Sequence, residues 1–370
     1  MTAFPDLLRD LNGLRDRSRL RALAPRAGLD FSSNDYLGLA GSRELAAAVA
    51  GALDRGVPTG SGGSRLLRGN HPEHEALEAE AAAFFDAEAA LYFSSGYSAN
   101  AALLATLPQR GDLVVHDALI HASAHEGMRA GRAEHVAAAH NDVGAIADAI
   151  SDWRAGGGRG RVWIAVESLY SMDGDRAPLD ALARLADTHD AVLIVDEAHA
   201  TGVFGPDGRG FAAGIERRDN LITLHTCGKA LGCEGALVTG ARVVIDFLVN
   251  RARGFIFSTA PSPLMASAVR AALRIVATEP KRRAELHDRI ALAHRLLVPR
   301  GARDTGSQIM PLVIGDDARA MARAAALQAA GFDIRGVRPP TVPAGTARLR
   351  LSITLNATPD DVAALAEALA

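Results

Sequence analysis

Two stretches, AVLIVDEAHATG at 191–202 and NLITLHTCGKALGCEG at 220–235, decide the fold. The first is an apolar run that stops abruptly at Asp196, Glu197 and His199, the pattern of a buried strand delivering polar groups at its carboxyl end. The second repeats it: a short, largely apolar run spans Leu221 to Leu224, and His225, Thr226, Gly228 and Lys229 follow. Ligands of open α/β sheets bind outside the carboxyl ends of the strands. An acid, a histidine, a threonine and a lysine therefore converge there.

That convergence suits one kind of cofactor. A lysine amine forms a Schiff base with an aldehyde, and an acid against a pyridine nitrogen keeps the ring protonated and electron-withdrawing. Pyridoxal phosphate needs both. Taken singly, Lys229 reads as a surface lysine after a strand and Asp196 as a helix cap; matching pieces elsewhere reverse that reading.

With 370 residues the chain suits one large domain plus a smaller one. A net charge of -3 gives no reason to expect nucleic-acid binding. Phe4, Leu7, Leu8, Leu11 and Leu14 fall at helical spacing, which predicts an amphipathic helix packed on the body. Charges of both signs interrupt this stretch, so it is no signal peptide, and Asp6, Asp10 and Asp16 argue against a mitochondrial transit sequence. No apolar run approaches the roughly 18 residues of a membrane span. Cys227 and Cys233 have neither metal-ligand nor disulfide-framework spacing, which fits a reducing cytoplasm.

In chain order, residues 29–40 read as a short strand running into a turn with Asn34, Asp35 and Gly38, and a helix is predicted over 44–53. The glycine-rich loop GVPTGSGGSRLLRGNHPEH (56–74) matches no Walker pattern, nor does GKA at 228–230. His71, Glu73, His74 and Glu75 read as a helix N-terminus with acids favoured by the helix dipole, not as a metal site. Next, AALYFSSGYSAN (89–100) is a strand entering a helix, with Ser95, Gly96 and Tyr97 at the junction, where backbone amides make an anion site. His121 lies just beyond the strand ending at His116; it is placed either to stack on an aromatic cofactor or as a surface histidine. Residues 162–175 give another buried strand ending in Glu167, Ser168 and Ser171. GALVTG (235–240) is a strand, and Ser258 and Thr259 stand exposed in GFIFSTAPSP (254–263).

Strands alternate with helices from about residue 89 to 239, so a mostly parallel sheet covered on both faces is expected. The remainder reads as a smaller α/β domain carrying Arg338, Thr341, Arg348 and Arg350. Alternation in ARLRLSITL (347–355) sets Leu349 and Leu351 opposite Arg348 and Arg350, leaving at least one arginine available to a carboxylate. The expected divisions are an N-terminal helix and arm at 1–40, a large cofactor-binding domain at 41–265 and a small domain at 266–370.

From about Asp30 to the C-terminus the chain resembles the α-oxoamine synthases, pyridoxal-phosphate enzymes of fold type I, the aspartate-aminotransferase type. The motifs that carry the likeness are NDYLGL, GSGGSRLLRGN, SGYSAN, SMDGD, VDEAHATGVFGPDGRG, HTCGKALG, FSTAPSP and RPPTVPAGTARLRLS. The last is most similar to the members that make 8-amino-7-oxononanoate for biotin, from L-alanine and a pimeloyl thioester of coenzyme A or acyl carrier protein. Relatives that use glycine or serine, and more distantly plain aminotransferases, share the cofactor motifs; a non-catalytic α/β protein is the third possibility.

The resemblance implies roles residue by residue. Lys229 is the Schiff-base lysine and proton base, Asp196 pairs with the pyridinium nitrogen, and His199 and Ser171 bond the ring hydroxyl. His121 stacks on the ring with catalytic and substrate contacts, and Thr226 with the backbone of Gly96 and Tyr97 holds the phosphate. Ser258 and Thr259 reach a phosphate across a homodimer interface. Arg21, Asn34, Arg338, Thr341 and Arg350 contact substrate. No metal, nucleic acid or membrane is expected, and the location implied is cytoplasmic.

Overall fold

The computed structural model describes residues 3–370; Met1 and Thr2 of the expected N-terminal arm lie outside the described residues. The chain forms two compact units. The larger holds Leu37–Tyr170 and Arg176–Arg283, and the smaller holds the residues up to Tyr36, Ser171–Asp175 and Ala284–Ala370.

A two-residue strand, β1 (Leu29–Asp30), precedes the main sheet. The larger unit is built on β2 (Ala89–Phe93), β3 (Leu113–Asp117), β4 (Glu134–Ala138), β5 (Val162–Glu167), β6 (Val192–Asp196), β7 (Leu221–Thr226) and β8 (Ala236–Gly240). They lie in the order β2-β8-β7-β6-β5-β3-β4, and all run one way except β8, which opposes both neighbours. Edge strand β4 is absent from the sequence-based expectation because Glu134, His135, Val136 and Ala137 are exposed, so no buried apolar run marks it.

Successive strand residues face opposite ways. Val192, Ile194, Ile222 and Leu224 face one side of the sheet and pack with Ala99, Leu103 and Met128. Leu193, Val195 and Leu221 face the other and pack with Ile150, Leu182 and Ala186. Both sides are covered, which is why β5, β6 and β7 read as unbroken apolar runs. The helices Gly96–Thr106 and Ala122–Ala130 approach closely at Gly127, where a Cβ would lie 2.8 Å from the Ala101 carbonyl oxygen and 2.9 Å from Leu104 Cβ. Gly127→Ala is therefore expected to cost about 1–3 kcal/mol. An unchanged urea midpoint would mean that the two helices are not held this close.

On the side away from helix Gly96–Thr106, a buried polar chain runs through His225. Thr201 donates to the Glu197 carbonyl (2.9 Å), so its oxygen accepts from His225 Nδ1 at 2.8 Å; Nε2 then accepts from Thr223 at 2.8 Å. Phe85 stacks on the ring at 3.6 Å. Burial pushes the His225 pKa down to about 3, so the imidazole is neutral in the folded chain. Unfolded, it titrates near 6.5. Its contribution to stability is full above that value and is lost as pH falls toward 3, at about 1.4 kcal/mol per pH unit. In His225→Gln the decline in stability between pH 6.5 and 4, followed by urea unfolding, should be shallower by that slope; equal slopes would contradict a buried neutral ring.

In the smaller unit, β9 (Ile309–Gly315), β10 (Phe332–Asp333), β11 (Gly336–Val337) and β12 (Ala347–Ser352) complete the strands. β12 lies between β11 and β9, antiparallel to both, while β1 pairs with β10 in parallel. Thr358 caps the last helix, Pro359–Leu369, in a reciprocal capping box with Asp361.

Two expectations need correction. The helix Pro263–Thr278, most of which is expected in the small domain, belongs to the larger unit because it packs on helices Arg43–Asp54 and Pro72–Phe84. The division falls instead inside helix Pro280–Leu297. The N-terminal helix forms at Pro5–Asp16, but its apolar stripe is left mostly uncovered: none of its residues is buried, and Leu7 is 63% exposed. Apolar spacing dictates the helix without dictating what covers it.

Candidate active site

Asp196 ends β6 on the face of Val192 and Ile194, and Thr226 ends β7 on the face of Ile222 and Leu224. Helix Gly96–Thr106 covers that face. Asn100, one turn into the helix, donates to Asp196 Oδ2 at 2.6 Å, and the Ala198 amide donates to Oδ1 at 2.9 Å. The buried carboxylate is thereby fixed in direction.

Strand register explains the next contact. Thr226 and Phe93 both pair with Ala236 of β8, so the turn after β2 opens beside Thr226. Ser95 caps the helix that follows, accepting from the Ser98 amide at 3.1 Å. The amides of Gly96 and Tyr97 have no acceptor among the described residues. A Cβ at Gly96 would lie 3.4 Å from Thr226 Oγ1. Two donating amides at a positive helix end thus stand beside a hydroxyl.

Lys229 stands on the loop 227–235, which joins β7 to the reversed β8 at the carboxyl edge of the sheet. The Cys227 amide donates to the Gly235 carbonyl at 2.8 Å and closes the loop. Lys229 Nζ lies 2.8 Å from His199 Nε2, so the ammonium donates and the imidazole accepts. His121 caps helix Ala122–Ala130, its Nδ1 2.7 Å from Ser123 Oγ and its ring edge-on to Tyr97 at 6.2 Å. Desolvation and the Lys229 charge lower its pKa while the Asp196 charge raises it, so amine and acid both lie within electrostatic range of one imidazole. Six residues chosen from sequence, with Tyr97, therefore gather in the larger unit: Gly96, His121, Asp196, His199, Thr226 and Lys229.

Other assigned residues stand elsewhere. Ser258 and Thr259 are exposed, and no hydrogen bond joins them to this cluster among the described residues. Ser171 falls in the smaller unit, where its carbonyl accepts from Arg350 Nε at 2.6 Å. There Arg350 also donates to Ser352 Oγ (2.6 Å), Asn34 Oδ1 (3.0 Å) and Tyr36 OH (3.4 Å). Every one of these acceptors is neutral. Arg348, by contrast, is paired with Asp173 at 2.7 Å. Arg350, not Arg348, is the arginine with charge left for an anion. Arg21 donates to Thr341 Oγ1 at 3.4 Å, and its charge, after burial, lowers the pKa of Arg338. These three form a second group in the same unit.

Sequence reasoning misses Asn100, Tyr36 and Ser352. Asn100 is four residues after Gly96, one turn along the same helix, and Ser352 is two after Arg350 on the same strand face. Both spacings are readable. Glu197 faces the other side of the sheet, accepts from Ser168 Oγ and from the Phe211 and Ala212 amides, and is pushed up to about 7 by burial. No helix is long and apolar enough to cross a membrane, and no group of metal-binding side chains occurs, among the described residues.

The model of the aminotransferase class I and II family matches residues 26–369. An 8-amino-7-oxononanoate synthase of Anaeromyxobacter dehalogenans (strain 2CP-1) is 46% identical over 332 residues, covering 89% of this chain and 82% of its own length. The chain belongs to the 8-amino-7-oxononanoate synthase family. Two solved structures agree in fold. A serine palmitoyltransferase of S. paucimobilis with a pyridoxal phosphate–myriocin adduct superposes with TM-score 0.88 at 27% identity, over 99% of this chain and 96% of that one. An 8-amino-7-oxononanoate synthase from Francisella tularensis gives 0.78 at 28%, over 92% and 96%.

The enzyme is thus an α-oxoamine synthase of fold type I, a pyridoxal-phosphate-dependent acyltransferase. Its residues fit that cofactor. Unpaired amides at Gly96 and Tyr97 beside Thr226 suit a phosphate, the oriented Asp196 carboxylate suits a protonated ring nitrogen, and Lys229 offers an amine.

Proposed function

We propose that this chain joins L-alanine to a pimeloyl thioester, releasing CO2 and the thiol and forming 8-amino-7-oxononanoate. The observation that supports this most is Lys229 Nζ held 2.8 Å from His199, with the Asp196 carboxylate fixed by Asn100, at the carboxyl edge of a fold-type-I sheet. Pyridoxal phosphate, when bound, supplies an aldehyde for amines and a ring that withdraws electrons from the substrate α-carbon.

The protein's own groups do the rest. Lys229 would hold the cofactor by its amine, and the same amine would take the Cα proton of alanine and return one to the product. Asp196 would pair with the ring nitrogen and keep a proton there. Thr226 and the Gly96 and Tyr97 amides would hold the phosphate, His121 would stack on the ring, and His199 and Ser171 would bond the ring hydroxyl. Arg350 with Asn34 takes the amino-acid carboxylate, and Arg21, Arg338 and Thr341 contact the acyl substrate.

Losing charge-assisted hydrogen bonds costs about 1.5–3 kcal/mol. Arg350→Met should therefore raise KM for alanine roughly ten- to hundredfold; an unchanged KM would assign the carboxylate to another group.

A homodimer with Ser258 and Thr259 reaching the partner's phosphate accounts for exposed apolar side chains nearby. Leu67 is 85% exposed and Phe257 70%, on segments joined by Ala260 N donating to the Gly63 carbonyl. A cytoplasmic location suits thioester chemistry of this kind. Mass analysis of the product made from alanine and pimeloyl-CoA tests the reading. The 8-amino-7-oxononanoate mass is expected. Product only from glycine or serine would move the enzyme to another branch, and pyruvate formed without thioester would make it an aminotransferase.

A further inference from the structure

The cofactor-binding loop carries two thiols that the reaction does not use. Cys227 and Cys233 flank Lys229 at its second residue before and fourth after, and both are unoxidised. The Cys233 amide donates to the Cys227 carbonyl at 2.8 Å, so the two backbones touch directly. A Cβ at Gly228 would lie 3.6 Å from the Cys233 carbonyl oxygen, which shows how tightly the loop folds on itself. Residues joined by such a bond have Cα atoms within the roughly 4.4–6.8 Å that a disulfide spans. Cys227 is fully buried and Cys233 half-buried. Burial pushes the Cys227 thiol up, and the charge of Cys233, near enough to act on it, adds to that.

We propose that Cys227 and Cys233 are an oxidisable pair whose disulfide encloses Lys229 in a seven-residue ring and switches the enzyme off reversibly. The more accessible Cys233 reacts first: its thiolate attacks one oxygen of a hydroperoxide, giving a sulfenic acid and, from hydrogen peroxide, hydroxide that leaves as water. The Cys227 sulfur then attacks the Cys233 sulfur, the S–O bond breaks, and the hydroxyl departs with the Cys227 proton as a second water. Two thiols lose two electrons and two protons in all, and one peroxide becomes two waters. Bonding draws the sulfurs from non-bonded contact to covalent distance, a change of more than about 1 Å. Misplacing a reacting group by about 1 Å costs on the order of 10²-fold in rate. That consequence for turnover rests on the role given to Lys229 above; formation of the bond does not.

The test treats holoenzyme with hydrogen peroxide and then counts thiols after denaturation, maps peptides and measures turnover. Trypsin cuts after Lys229 and separates 219–229 from 230–242, so a disulfide keeps these two peptides joined. The expected result is two thiols falling to none, linked peptides, turnover lower by at least tenfold, and recovery of all three with dithiothreitol. Cys233→Ser and Cys227→Ala should each keep their turnover under the same treatment. Two thiols persisting, a sulfinic acid on Cys233, or a disulfide between chains would overturn the proposal. Linked peptides with unchanged turnover would overturn the switch while leaving the pair, and that result is distinct from failure of the alanine reaction, which the untreated enzyme reports.

Discussion

Replacing Lys229 with alanine is expected to lower turnover by at least about 10³-fold, measured as pimeloyl-CoA-dependent thiol release. Two contributions disappear together. The amine proposed to bind the cofactor is gone, and so is the proposed base for the Cα proton, a role worth typically 10²–10⁴-fold by itself. His199 stands 2.8 Å from Nζ, but an imidazole held there cannot replace a primary amine as covalent partner. The proposed phosphate site at Gly96, Tyr97 and Thr226 is untouched, so the variant should still take up pyridoxal phosphate without a covalent link. Activity within tenfold of the parent would remove Lys229 from the chemistry.

Asp196→Asn should lower turnover by roughly 10²–10³-fold, the scale on which a lost electrostatic group acts at a reacting centre. Asparagine preserves shape and leaves an oxygen for the Asn100 amide, which donates at 2.6 Å in the parent. What it removes is the negative charge proposed to hold a proton on the ring nitrogen. Cofactor affinity should change far less than turnover. A variant that keeps rate, or that loses only cofactor, would show that this carboxylate does not tune the ring.

Much of the fold and of the site is legible in the amino-acid sequence alone. β5, β6 and β7 stand out as apolar runs because both sheet faces are covered, and Asp196, Thr226 and Lys229 follow from the way those runs stop. β4 is not legible because its outer position leaves it polar and exposed. Arg348 and Arg350 cannot be told apart by pattern, since strand alternation puts both on one face. What separates them is Asp173, 175 residues away in the chain, and no local pattern reports a partner so distant. The N-terminal helix shows the same limit from the other side, with correct spacing and an exposed stripe. Asn100 is a different omission: helical spacing from Gly96 places it on the site, and only the pairing with Asp196 identifies its use.

The chain has two lysines, Lys229 and Lys281, and Lys281 is an exposed residue of helix Pro280–Leu297. Borohydride reduction of the holoenzyme, followed by trypsin and mass analysis, therefore asks a two-way question. A reduced cofactor on Lys229 blocks cleavage there and should appear on a single peptide spanning 219–242, in one equivalent per chain. Label on Lys281, or on neither lysine with 219–229 recovered intact, would contradict the role given to Lys229.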